Sequence, residues 1–126
     1  ATLILLPHPA LADEHAVDVS IMQLLGSPQA FHEKWVRVIG FLDLAPEGPR
    51  LYLHREDREH GLAANAIVIA DARGLLAHRA QLDRKYVLVE GVFRADRGGS
   101  MTRIRRCMLW SGFEGPAKDP DHRPCA

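Results

Sequence analysis

Two stretches carry the strongest hydrophobic pattern in this chain: Trp35-Val36-Arg37-Val38-Ile39-Gly40-Phe41-Leu42 and Tyr86-Val87-Leu88-Val89-Glu90-Gly91-Val92-Phe93. Each is rich in β-branched residues and has a glycine set near its middle. Val and Ile fit a pleated surface, so both runs predict strands. Glycine weakens a strand, and Gly40 and Gly91 therefore predict a bulge or sharp bend. Two long strands bent alike suit a small closed barrel, because a sheet closes only by coiling. At period two, Val36, Val38, Leu42 and Leu44 share one face with Gly40. The other face carries Trp35, Arg37, Ile39, Phe41 and Asp43, which is too apolar for simple solvation. The N-terminal helices, or a partner, are expected to cover part of it.

The remaining pattern fills in around these strands. Val17 to Leu25 predicts a short amphipathic helix, capped by Asp18 or Ser20, striped by Ile21, Leu24 and Leu25, and stopped by Gly26. Ser27-Pro28 restarts a helical turn anchored by Phe31. Ala45-Pro46-Glu47-Gly48-Pro49 is a turn, and Arg50 to Arg55 a second strand with Leu51 and Leu53 inward. A charged connection, Glu56 to Asn65, leads to a third strand at Ala66 to Ala70. Asp71 is placed to cap a helix over Ala72 to Leu82, which Gly74 weakens. Lys85 to Ala95 is the fourth strand, Asp96 to Ser100 a hairpin turn, and Met101 to Trp110 the fifth strand. Helix, three strands, helix and two strands is the order of a five-stranded Greek-key barrel of the OB-fold kind, preceded by an N-terminal helix.

A resemblance rests on these same residues. Val19-Ser20-Ile21 through Leu25, Pro28, Phe31 and Val36 to Phe41 resemble bacterial OB-fold-like proteins of unassigned function. Leu51-Tyr52-Leu53-His54-Arg55-Glu56-Asp57, His60-Gly61, Tyr86-Val87 and Val92-Phe93 extend the likeness, which covers about Val19 to Trp110. It implies a fold and no chemistry. Glu33 stands where that family has a glycine, in the turn before the first barrel strand.

Composition narrows the function classes modestly. The 126 residues suffice for one domain with one core. Lys+Arg and Asp+Glu balance at 16 each, so no global field draws the chain to nucleic acid or anionic lipid, although a local patch would suffice. No run reaches the ~18 apolar residues of a spanning helix. In residues 1–16, the apolar Thr2 to Leu6, the break at Pro7-His8-Pro9 and Ala10-Leu11-Ala12 before Asp13-Glu14 resemble the end of a secretory signal peptide; the alternative is an N-terminal arm. Residues 17–110 form the expected barrel domain and 111–126 a Gly/Pro-rich tail. Cys107 and Cys125 fit a bridge tying that tail to the barrel in an exported protein, or a buried and a free thiol.

Three groups of residues are candidates for chemistry. His54-Arg55-Glu56-Asp57-Arg58-Glu59-His60 gathers two imidazoles and three carboxylates, and a helical turn after Glu56 would bring Glu56 and His60 to one face. His54, Glu56, Asp57 and His60 then form a candidate metal set for zinc, nickel or iron. The plainer alternative is a solvated connector in which Arg55 and Arg58 pair with the acids. Arg94, Arg97, Arg103, Arg105 and Arg106 gather on the last hairpin, where OB-folds often bind oligonucleotides; the plainer alternative is an arginine-rich outer barrel face. Such grooves also need exposed aromatics, of which Tyr52 and Phe41 are the candidates. No serine sits in a nucleophile elbow, and no glycine-rich loop precedes a helix as a phosphate site requires. These features predict a small, exported, non-enzymatic module that binds a ligand or protein, without a cofactor. Its expected contacts are Tyr52, His54, Glu56, Arg97, Arg103 and Arg105. The alternatives are a single-stranded nucleic-acid binder and a metal-binding protein.

Overall fold

The computed structural model describes residues 15–112. The chain runs β1 (Val17–Val19), α1 (Ile21–Gly26), a 3-10 turn (Pro28–Phe31), β2 (Lys34–Asp43), β3 (Arg50–Tyr52), α2 (Arg55–Glu59), a 3-10 turn (Ala63–Asn65), β4 (Ala66–Ile69), α3 (Arg73–Leu76), α4 (Arg79–Leu82), β5 (Tyr86–Arg94), a turn (Asp96–Gly98) and β6 (Ser100–Leu109). The fold is mainly β with short helices.

The strands close on themselves. β2 pairs antiparallel with β3, β3 with β4, and β5 with both β6 and β2, while β4 and β6 run parallel. The result is a five-stranded barrel, with β1 laid parallel to β2 outside the ring through Val17↔Val36 and Val19↔Val38. Long β2 is shared along one edge: β1 takes its first half and β3 pairs from Phe41 onward. Among the described residues, closure pairs the strands of the ring with one another and leaves three-residue β1 as the edge strand.

Both glycines of the two long strands have a steric reason. A Cβ on Gly40 would lie 2.7 Å from Ile21 Cδ1, Leu51 Cγ and the Tyr52 carbonyl oxygen. Gly40 thus lets α1 and β3 press onto β2 where its edge changes partner. A Cβ on Gly91 would lie 2.8 Å from the Thr102 carbonyl oxygen. There the β5–β6 register shifts: Val92 pairs with Thr102 but Glu90 with Arg106, so β6 loops out over 103–105.

The barrel interior is the core. Val36, Val38, Leu42, Leu44, Leu51, Ile67, Val87, Val89, Phe93 and Met101 are buried there, joined by Ile21 and Leu24 of α1 and by Leu75 and Leu82 of α3 and α4. Helix α1 thus turns Ile21 and Leu24 to the interior.

Several sequence expectations shift in their bounds. The helix expected over Val17–Leu25 starts only at Ile21. The Ser20 hydroxyl accepts from Gln23 N at 3.1 Å and the Gln23 side chain accepts from Ser20 N at 2.8 Å, a capping box that fixes the start. Val17–Val19 find ladder partners on β2 instead. The second strand stops at Tyr52, because His54 becomes the N-cap of α2. The helix over Ala72–Leu82 is two short turns, parted at His78, whose φ of −117° and ψ of 27° are not helical. Glu33 holds φ at +60°, the left-handed geometry for which glycine is suited, and its N–H donates to the Phe93 carbonyl at 2.7 Å. Cys107 is buried and disulfide-bonded. Cys125, the signal-like residues 1–14 and the tail from 113 onward lie outside the described residues. Among the described residues, no helix is long and apolar enough to cross a membrane.

Candidate functional site

The outer stripe of β2 organises the surface of the barrel, because each of its residues meets a different partner across the sheet. Trp35 lies under two arginines of the looped-out β6 segment. The Arg105 guanidinium sits 3.8 Å from the indole centroid and that of Arg103 5.6 Å, with Arg103 itself at φ +50°. The next residue, Arg37, faces Glu90 across the β2–β5 ladder. Its Nη2 and Nε donate to Glu90 Oε1 at 2.9 and 3.1 Å, and its Nη1 to Asp18 Oδ1 of β1 at 3.2 Å. Arg105 Nε donates to the other oxygen, Glu90 Oε2, at 2.7 Å.

Glu90 is thus a carboxylate on a barrel strand whose side chain is only 3% exposed. Burial pushes its pKa upward, and the hydrogen bonds from Arg105 and Arg37 outweigh that push and hold it below the ordinary glutamate range. The same hydrogen bond raises the pKa of Arg37. Asp18, Arg37, Glu90 and Arg105 form one ladder across four strands in which the charges answer each other.

Beside this ladder the stripe is open. Ile39, the next outward residue of β2, pairs with Leu88 of β5, which pairs with Met108 of β6. These three and Trp110 floor a groove of about 720 Å³. Its rim carries Asp18 and Ser20 on one side, Arg37 at the ladder and Arg106 on β6. Ile39 is 37% exposed, so the groove floor reaches solvent. Arg106 is exposed and makes no hydrogen bond or ion pair with a described residue, although its charge helps to lower the pKa of Glu90.

Beyond Ile39 the stripe closes again. Phe41 packs edge-on to Tyr86 with ring centroids 5.4 Å apart, and beside Tyr52. The Arg55 guanidinium lies over both rings, 5.6 and 5.9 Å from their centroids, and the Tyr86 hydroxyl accepts from Arg55 N at 3.1 Å. Phe41 and Tyr52 are buried, so neither offers a ring for a base to stack on. At the end of the stripe, Asp43 Oδ2 accepts from Arg58 Nε at 3.3 Å.

The expected site residues are accordingly dispersed. In the 54–60 segment Asp57 is buried and ties the connector together: its oxygens accept from His54 N at 2.9 Å and from Asn65 Nδ2 at 3.0 Å. His54, Glu56 and His60 are exposed, and His54 Nδ1 stands 3.9 Å from Asp57 Oδ2. The described residues contain no group of three or more His, Cys, Asp or Glu side chains arranged to hold a metal ion, so His54, Glu56, Asp57 and His60 are not brought together as a ligand set. The arginines of the last hairpin also part company. Arg94 pairs with Glu33 and Asp96, and Arg97 is exposed in the turn at φ +56°. Arg103 and Arg105 sit on Trp35, while Arg106 alone borders the groove. Glu90, Ile39, Leu88, Met108 and Trp110 were not legible as a site in the sequence. The nearest signal was the apolar outward face of β2 itself. No protein-family model, no curated protein and no solved structure matches this chain.

Proposed function

We propose that the chain is an exported, non-enzymatic binding module built on an OB-fold barrel, with the groove over Ile39, Leu88, Met108 and Trp110 as its ligand site. The strand order supports the fold assignment. Counting barrel strands from β2, the ring runs first, second, third, fifth, fourth and back to first, with a helical connection between third and fourth. The disulfide at Cys107 supports export, since such bonds persist in oxidising compartments.

One observation carries the binding reading. The outer stripe of β2 is covered at Trp35, Arg37, Phe41 and Asp43 by side chains of this chain, and is left open at Ile39 above a largely apolar groove of about 720 Å³. That volume falls in the range of small-molecule clefts, about 300 to 1,000 Å³. A neutral solvatochromic dye, Nile red, tests it. We expect blue-shifted, saturable emission with the folded protein, and loss of that signal in Ile39→Gln at unchanged melting temperature. Equal signal in both proteins, or none in either, refutes the groove as a ligand site.

A further inference from the structure

We infer that the groove takes an amphipathic anion: an extended apolar body carrying one carboxylate, held with its charge against Arg106. The inference rests on the reading of the groove as a ligand site and adds the chemistry of what fills it.

The argument is one of charge placement. Of the two arginines on the rim, Arg37 is spent. Its Nε and Nη2 are given to Glu90 and its Nη1 to Asp18. Arg106 has no such partner among the described residues. It follows Arg105 in a strand whose looped-out segment turns Arg105 onto Trp35 and Glu90, and the buried Glu90 carboxylate is already doubly occupied. Both Glu90 oxygens being taken, the guanidinium of Arg106 remains available beside an apolar floor. Asp18, the acid on the opposite rim, is drawn toward Arg37 at 3.2 Å. The groove therefore presents, beside Met108 and Trp110, a guanidinium that shares the field of Glu90 across the β5–β6 ladder but gives its hydrogen bonds to no described residue, and an arginine with its donors available is a planar partner matched to a carboxylate. A neutral apolar molecule leaves that cation unused, and a cationic one opposes it.

The test compares three probes of one chain length, below their micelle concentrations, by calorimetry on the full chain: decanoate, 1-decanol and decyltrimethylammonium. We expect decanoate to bind at least tenfold more tightly than decanol, and decyltrimethylammonium more weakly than either. Arg106→Gln is expected to bring decanoate down to the level of decanol while leaving decanol and the melting temperature unchanged. Arg106→Lys, which keeps the charge, is expected to retain most of the preference. Equal binding of decanoate and decanol, or a preference that survives Arg106→Gln, overturns the anion and leaves the groove standing. Failure of all three probes overturns the inference as well, and if Nile red also fails, the groove reading falls with it.

Discussion

Glu90 gives the sharpest prediction, because its cost and its compensation are both visible. The side chain is 3% exposed, yet it is held charged by three nitrogen–oxygen contacts of 2.7 to 3.1 Å from two guanidiniums. Glu90→Gln keeps the shape, removes the charge and turns an amide NH₂ toward groups that themselves only donate. Breaking a buried pair by neutralising one member costs about 3 to 5 kcal/mol when the remaining charge stays buried. Here the arginine side chains are 33% and 30% exposed and regain water, so we expect about 2 kcal/mol. For a domain of this size, that lowers the melting temperature by roughly 8 °C. Urea denaturation followed by circular dichroism, with an unchanged m-value, checks the free energy directly.

The pH dependence supplies an independent arm. Glu90 has a folded-state pKa below its unfolded value, so its contribution is fully present above about pH 5 and is lost as the pH falls through the depressed folded value. Wild type should therefore lose stability on acidification more steeply than Glu90→Gln, and the two curves should converge at low pH. A Glu90→Gln protein within 0.5 kcal/mol of wild type at pH 7, or an unchanged gap down to pH 2, would refute the ladder as a source of stability.

Other outcomes follow from single contacts. Gly40→Ala should cost about 2 kcal/mol or more in chemical denaturation, since one of the three atoms at 2.7 Å is a backbone carbonyl oxygen that has little room to retreat. Asp57→Ala should cost about 2 kcal/mol and raise amide hydrogen exchange over residues 54–65, because it orphans His54 N and Asn65 Nδ2 together; unchanged exchange there would deny Asp57 its organising role. The double variant His54→Ala, His60→Ala should melt with wild type both with and without added zinc, both imidazoles being exposed and the intervening carboxylate engaged. A zinc-induced stabilisation lost in the double variant would restore the metal reading.

How much of this was legible in the chain depends on the reach of each interaction. Strands β2 and β5 declared themselves, since β-branched runs and alternation are local properties. The bulge or bend expected at the two glycines is met at Gly91, where the β5–β6 register shifts, whereas β2 keeps its register through Gly40, which instead makes room for Ile21, Leu51 and the Tyr52 backbone. The short strand Val17–Val19 blends into the helical pattern of the sequence because three residues carry too little pattern to compete with the helix they precede. Only the ladder offered by β2 makes them extended.

The sequence by itself determined a small, mainly β domain with two long bent strands, an interior of Val, Leu and Ile, and one outward stripe too apolar for water. Tertiary structure decided what becomes of that stripe. Arg37 finds Glu90 53 residues away, Trp35 is roofed by arginines from β6, and Asp57 turns inward to hold a connector that reads as a surface charge run. Charge runs look alike in sequence whether they are solvated, paired or buried, because pairing depends on which strands lie side by side. Ring closure brought β2, β5 and β6 into that order, and so left Ile39 open on the groove that Arg106 borders.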